Sequence, residues 1–194
     1  TNSVIELSKN FDVISIGSGL GRSEETARFV TEFIKENQKP IVIDADGLNS
    51  LSEIGIKKIG GNSVITPHPK ELSRLIDVPV EIILSDREYY AVETAKSLET
   101  IVVLKGHNTV VTDGKSVYIN ESGCSALAKA GSGDVLTGMI TGLMSQKTNP
   151  LFAAILGVYL HGLTGDIAAE SLTEYSVLAS DLLNFIPNAI KKIL

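Results

Sequence analysis

Asp12-Val13-Ile14-Ser15-Ile16-Gly17-Ser18-Gly19-Leu20-Gly21-Arg22 is the stretch on which the fold turns. Its first half is apolar and β-branched, as in a buried strand, and its second half places three glycines where the chain must reverse. A helical pattern follows from about Ser23 to Asn37, and Ile41-Val42-Ile43-Asp44 reads as a second strand after Pro40. Strand, helix, strand is a βαβ unit, whose ligands gather at the carboxyl ends of the strands. That rule puts Ser18–Gly21 and Asp44-Ala45-Asp46-Gly47-Leu48-Asn49 on one rim. The glycines also invite a dinucleotide-binding reading with Asp44 on the ribose, but the third glycine position is Arg22, too large for close helix–strand packing. Gly114-Lys115-Ser116 has the tail of a P-loop, yet Thr109 replaces its first glycine.

Further strands extend the pattern. Val64-Ile65-Thr66 is a third, stopped by Pro67-His68-Pro69, with a helix from Lys70 through Leu75 and another from about Ser85 to Ser97. Ile101-Val102-Val103-Leu104 is a buried strand that ends on Lys105. Val110-Val111-Thr112 and Val117-Tyr118-Ile119, joined by Asp113-Gly114-Lys115-Ser116, predict a β-hairpin. Helices close the chain: one from Val135 to Met144, one from Leu151 to about Glu170 after Pro150, and one capped by Ser180-Asp181 towards Lys192. The first strand is expected almost at once after Thr1.

Composition removes several classes of function. In 194 residues, 17 Lys and Arg face 23 Asp and Glu, a net charge of −6. No basic face offers itself to nucleic acid. Cys124 is the only cysteine, so no intrachain disulfide forms, and His68, His107 and His161 stand at no zinc-ligand spacing. No uninterrupted apolar run approaches the roughly 18–20 residues of a membrane span, and the N-terminus lacks a signal-peptide pattern. A cytoplasmic protein with no membrane partner is the expectation. The chain starts without methionine and is expected to be a piece of a longer polypeptide.

The chemistry concentrates in Ala128-Lys129-Ala130-Gly131-Ser132-Gly133-Asp134-Val135-Leu136-Thr137-Gly138. Gly131, Ser132 and Gly133 let a ligand approach backbone amides, and the unpaired N–H groups of a helix start favour an anion. Asp134 beside such a turn suits phosphoryl transfer to a hydroxyl: amides hold phosphate oxygens and a carboxylate takes the proton. The bland alternative is an N-cap aspartate. Lys105, with Gly106, His107, Asn108 and Thr109, either snorkels to water or reaches a nucleotide's phosphates. His68 has a rigid seat between two prolines, whereas His161, inside an apolar helix, reads as a packed histidine.

Six motifs in order carry a resemblance: Gly17-x-Gly-Leu-Gly21, Ile43-Asp44-Ala45-Asp46-Gly47-Leu48, Thr66-Pro67-His68-Pro69-Lys70-Glu71-Leu72, Leu104-Lys105-Gly106, Gly131 to Gly138, and Tyr159-Leu160-His161-Gly162. Together they resemble the ATP- or ADP-dependent NAD(P)H-hydrate dehydratases of the ribokinase-like superfamily. The resemblance implies a ribokinase-like three-layer α/β/α sandwich with a mostly parallel central sheet. Residues 1–194 would be a single domain without its N-terminal part. It further implies ADP or ATP with Mg2+, and hydrated NADH or NADPH as substrate, whose ring hydroxyl is phosphorylated before phosphate is eliminated.

By position, the resemblance makes Asp134 the base and Gly131, Ser132 and Gly133 the anion hole. Lys105, Gly106, His107, Asn108, Thr109 and Gly133 line the nucleotide, Gly19, Gly21, His68 and Asp134 touch the substrate, and Glu71 holds magnesium through water. Asp44 and Asp46 face the same crevice without an assigned role. A homo-oligomer is implied, with the apolar helix from Leu151 to Tyr159 available for it. The alternatives are a kinase of a hydroxymethylpyrimidine or thiazole alcohol on the same fold, or a catalytically silent nucleotide-binding module.

Overall fold

Ile41, Ile43, Ile65, Val102 and Leu104 are buried in one core cluster, while Val42, Val64, Ile101 and Val103, alternating with them along the same strands, are buried in a second. Strands apolar on both faces must be covered on both. The computed structural model, which describes residues 1–194, provides that cover with helices on either side of one six-stranded sheet. Its strands lie side by side in chain order: β1 (Ile14–Ile16), β2 (Ile41–Ile43), β3 (Ser63–Ile65), β4 (Ile101–Leu104), β5 (Val110–Thr112) and β6 (Val117–Ile119). The first four are parallel and the last two return antiparallel as the expected hairpin. Ile16 pairs with Ile43, Ile43 with Ile65 and Ile65 with Val102, so the carboxyl ends of β1 to β4 form one rim.

The first face is covered by α2 (Glu24–Glu36), α3 (Asp46–Glu53), α4 (Pro69–Ile76), α5 (Val80–Ser85) and α6 (Arg87–Leu98), which contribute Phe33, Leu51, Leu72, Ile83 and Ala95 to the core. The second is covered by α7 (Ser132–Ser145) and α8 (Pro150–Leu172) through Leu136, Ile140, Ala154 and Val158. Burying a Leu, Ile or Phe side chain is worth roughly 1.5–3 kcal/mol, so the two clusters hold the rim between them. The outer helix α9 (Ala179–Ile193) packs Leu182 with Ala168 of α8. This is the expected three-layer arrangement.

Local chemistry sets the ends that matter. Ser23 accepts the Thr26 amide at 3.1 Å and starts α2, with Glu24 and Glu25 favouring its positive end. Asn149 does the same for the Leu151 amide at 3.0 Å, and Pro150 takes the first helical position of α8. The turn after β1 tolerates no side chain at Gly17: its φ is +133° and a Cβ would lie 1.8 Å from the Asp44 carbonyl oxygen. Gly17 therefore lets the first rim turn lie directly on the second.

Five details differ from the sequence reading. A short helix, α1 (Asn2–Ser8), precedes the first strand. α5 arises where no helix was expected, as does α3, where Gly47, Asn49 and Ser50 are poor helix formers but Leu48 and Leu51 are buried, so packing overrides propensity. α9 starts at Ala179; Asp181 accepts the Leu178 amide at 2.9 Å, so Ser180 does not cap it. Finally, α8 has the length and mean hydropathy, 1.5, to cross a membrane, but 61% of that window is buried within the protein. Most of its apolar surface is spent on the sheet and on α9, while Phe152 and Tyr159 stay exposed.

Candidate active site

Asp44 leaves the end of β2 and is only 2% exposed. A carboxylate so buried needs partners, and it has two: Lys105 Nζ at 2.7 Å on Oδ1 and Thr137 Oγ1 of α7 at 2.9 Å on Oδ2. Lys105, just past β4, does not snorkel. Its side chain is 20% exposed, and its ammonium also lies 3.8 Å from Glu71 Oε2. A Cβ on Gly133 would stand 3.4 Å from the same Nζ. The lysine charge is therefore delivered to the glycine turn by a buried carboxylate.

The turn itself is set by Gly131, which caps α7 with φ +87°, in the left-handed region glycine favours. No side chain caps this helix, and the Ser132 amide turns back to the Lys129 carbonyl at 3.2 Å. The next amides, those of Gly133 and Asp134, are left for an incoming anion. Asp134 is thus not an N-cap. Its exposed carboxylate accepts instead from Ser18 Oγ at 2.6 Å, a contact between residues 116 apart in sequence. A hydroxyl already fits on this carboxylate in hydrogen-bonding geometry.

His161, read as a packed histidine, is buried at 8% exposure, and its Nε2 lies 3.1 Å from Ser132 Oγ. Burial lowers its pKa to about 4, so the ring is neutral near pH 7. The packed histidine is also the support of Ser132, the first residue of α7.

Lys105, Gly106, His107, Asn108 and Thr109 come together with Ser132 and Gly133 on the walls of one cleft of about 550 Å³. Asn120, Ser122 and His161 also line it. Gly19, Gly21, His68, Glu71 and Asp134 are not on those walls. They belong to a second group along the rim, where the Gly21 amide donates to Asp46 Oδ2 at 2.9 Å and Arg22 approaches Oδ1 at 3.4 Å. His68 is less free than its prolines suggested. Nδ1 accepts the Lys70 and Glu71 amides at 3.1 and 3.2 Å and so caps α4, while the Glu71 carboxylate accepts the His68 amide at 2.8 Å. Burial, ahead of neighbouring charges, holds the His68 pKa below its ordinary value. With Nδ1 accepting, Nε2 carries the proton and stands 3.4 Å from Glu71 Oε1.

Four residues of the site carried no assigned role in the sequence reading: Ser18, Asp44, Asp46 and Thr137. Asp44 had a signal, an acid ending a buried strand. As for magnesium, no three His, Cys, Asp or Glu side chains are grouped to hold a metal. Glu71 and Asp44 flank a lysine, a donor set that fits an ion carried on phosphate oxygens and reached through water, which is how Mg2+ commonly binds.

The sheet order, helical cover and rim chemistry are those of a ribokinase-like α/β protein. A ribokinase-like superfamily protein from Enterococcus faecalis superposes with a TM-score of 0.86 at 28% identity, covering 98% of this chain and 66% of that one. Residues 1–188 match the family model described as NAD(P)H-hydrate dehydratase, and the chain belongs to that family. The bifunctional NAD(P)H-hydrate repair enzyme of Thermofilum pendens is 41% identical over 192 residues, 97% of this chain and 36% of that protein. The ADP/ATP-dependent NAD(P)H-hydrate dehydratase from Bacillus subtilis, co-crystallised with ATP/Mg2+, superposes with a TM-score of 0.85 at 34% identity, covering 94% of this chain and 65% of that one. The chain thus spans little more than a third of the bifunctional relative.

Proposed function

We propose that this protein restores NADH and NADPH from their hydrates, using ADP or ATP as phosphoryl donor. The observation that carries the reading is the Ser18 hydroxyl seated 2.6 Å from Asp134, directly beside the uncapped start of α7. That is where a substrate hydroxyl must sit to lose its proton while attacking a phosphorus held on the Gly133 and Asp134 amides. Family membership adds the substrate class.

Asp134 takes the proton of the ring hydroxyl as its oxygen bonds to the terminal phosphorus and the bond to the leaving nucleotide breaks. Lys105, fixed by Asp44, supplies positive charge next to Gly133. The secondary alcohol, a poor leaving group, becomes a phosphate ester, whose departure with loss of a ring proton regenerates the double bond. Little covalent chemistry falls to the protein, which positions groups and neutralises charge. Magnesium, when bound with the phosphates, supplies further charge neutralisation; Glu71 would reach it through water, with Asp44 beside it. Gly19, Gly21 and His68 face the nicotinamide side, and Lys105 to Thr109 the nucleotide.

The net charge of −6 supports a small-molecule substrate rather than nucleic acid, and exposed Phe152 and Tyr159 on α8 support a homo-oligomer. We place its work in the cytoplasm. The test mixes protein, Mg2+, ADP or ATP, and hydrated NADH: the reduced-nicotinamide absorbance should return only when nucleotide is present. Phosphorylation of a hydroxymethylpyrimidine or thiazole alcohol, with hydrated NADH untouched, would replace this reading by the vitamin-kinase one. Nucleotide binding without turnover of either would leave a silent binding module.

A further inference from the structure

Arg87, the first residue of α6, has no carboxylate partner. Its guanidinium donates to the Leu104 carbonyl at 2.9 Å and also to the carbonyl of His107, two backbone oxygens on either side of Lys105 and Gly106. It lies flat against Gly106, where an added Cβ would come within 2.9 Å of Nη2. Its Nε is buried without any partner. An arginine normally spends its five donors on carboxylates, phosphates or water. Here one donor is left unsatisfied and the charge is partly desolvated, which also lowers the Arg87 pKa, so that two carbonyls of a single loop can be gripped. Buried donors left unpaired are rare and call for an explanation.

The other attachments of the loop lie at its ends. The Lys105 amide donates to the Pro67 carbonyl at 2.8 Å, and the Asn120 amide to the Thr109 carbonyl at 2.9 Å. Between those ends, Thr109 Oγ1 donates to the Gly106 carbonyl at 2.9 Å, a bond internal to the loop. Asn108 adopts φ +54°, a left-handed conformation. From outside the loop, its middle is held by the guanidinium.

We infer that Arg87 is a positioning residue for the nucleotide: by clamping the Leu104 and His107 carbonyls it fixes the Lys105–Thr109 wall of the cleft, and so sets affinity for ADP or ATP without touching either. The inference rests on the proposed nucleotide site. A rigid planar fork suits the task, because its two terminal nitrogens are held in fixed positions to reach the two carbonyls, whereas a lysine must bring both to one flexible ammonium.

The test is calorimetric titration of ADP and of ATP into wild type, Arg87→Ala and Arg87→Lys, with steady-state kinetics on hydrated NADH. Arg87→Ala should raise the nucleotide Kd and KM at least tenfold, with kcat at saturating nucleotide and the KM for hydrated NADH within twofold. Arg87→Lys should recover only part of the loss, although it keeps the charge. Full recovery by lysine would make the effect one of charge and overturn the clamp. A Kd within twofold of wild type in Arg87→Ala, or an equal rise in both KM values, would overturn it too. If Arg87→Ala does not fold, hydrogen exchange in Arg87→Lys replaces it: the Lys105 and Asn120 amides, which bond the two ends of the loop through the Pro67 and Thr109 carbonyls, should exchange at least tenfold faster, and an unchanged rate sinks the clamp. Wild type that binds nucleotide but does not restore NADH removes the dehydratase reading and leaves the clamp standing on the binding data. Wild type that binds neither ADP nor ATP removes both.

Discussion

The two halves of the rim are built by opposite means. On the proposed substrate side, each side chain is already tied to a partner: Ser18 Oγ to Asp134 at 2.6 Å, the Asp46 carboxylate to the Gly21 amide at 2.9 Å, and His68 and Glu71 to each other's amides in a reciprocal cap. On the proposed nucleotide side, the cleft is walled by the glycine-bearing Lys105–Thr109 loop, the uncapped start of α7 and the segment from Asn120 to Ala128, and the first two are held from behind by Arg87, Asp44 and His161. The first arrangement fixes where a hydroxyl meets the Asp134 carboxylate. The second offers backbone donors, which suit phosphates and carry no side-chain entropy. Substitutions on the two sides should therefore fail differently, the first in turnover and the second in nucleotide affinity or in the stability of the support.

The sharpest break in that comparison is Asp134→Asn. The amide keeps the shape and can still meet Ser18, but it cannot take a proton. Turnover should fall by about 10²–10⁴, the usual worth of a positioned general base, while calorimetry finds nucleotide affinity within twofold of wild type. Unchanged turnover would return Asp134 to a packing role and shift the chemistry elsewhere on the rim.

Asp44 joins the two sides, and its loss should be felt by both. In Asp44→Asn the Lys105 ammonium, 20% exposed, keeps only Glu71 at 3.8 Å, and Thr137 loses a charged acceptor. Breaking a buried ion pair by removing one partner costs about 3–5 kcal/mol; the partial exposure of Lys105 argues for the lower end. For a domain of this size about 3 kcal/mol corresponds to a Tm lower by roughly 6–12 °C. Nucleotide affinity should fall with it, because the lysine is no longer held at Gly133. A Tm within 2 °C of wild type, read by differential scanning calorimetry, would mean that Lys105 finds solvent easily and that the two sides are not joined through it.

Local features of this rim could be read from the chain; its joints could not. The β-branched runs at Ile14–Ile16 and Ile101–Leu104 announce strands because their pattern is short-range, and Asp113-Gly114 announces the hairpin for the same reason. Gly131 to Gly133 likewise mark, by composition, the uncapped turn that starts α7. But Ser18 meets Asp134 across 116 residues and Lys105 meets Asp44 across 61. Such pairs are decided by which strands become neighbours, and no local pattern encodes that. Arg87 was invisible for a further reason: its partners are backbone carbonyls, which every residue has. α3 was hidden by its own weak propensity, since only the buried Leu48 and Leu51 explain why Gly47 and Asn49 are helical.

His161 offers the smallest effect and the finest discrimination, because it acts only as pH falls. In the unfolded chain a histidine titrates near 6.5, whereas here burial holds the pKa at about 4. Between those values the unfolded state binds more protons than the folded one, so stability is whole above pH 6.5 and declines as pH falls to about 4, where the folded imidazole protonates as well. A displacement of that size corresponds to about 3 kcal/mol. His161→Gln keeps a hydrogen-bonding group near Ser132 and removes the titration. Urea unfolding of wild type and variant at pH 7.5, 6, 5 and 4 should show wild type losing about 3 kcal/mol more than the variant across the series, while carboxylates common to both cancel. The loss belongs to the proposed nucleotide side alone, since His161 supports Ser132 at the start of α7 and the ties on the other side contain no imidazole buried to this depth. Parallel slopes for the two proteins would show that the imidazole reaches solvent before the fold opens, and that the start of α7 stands without it.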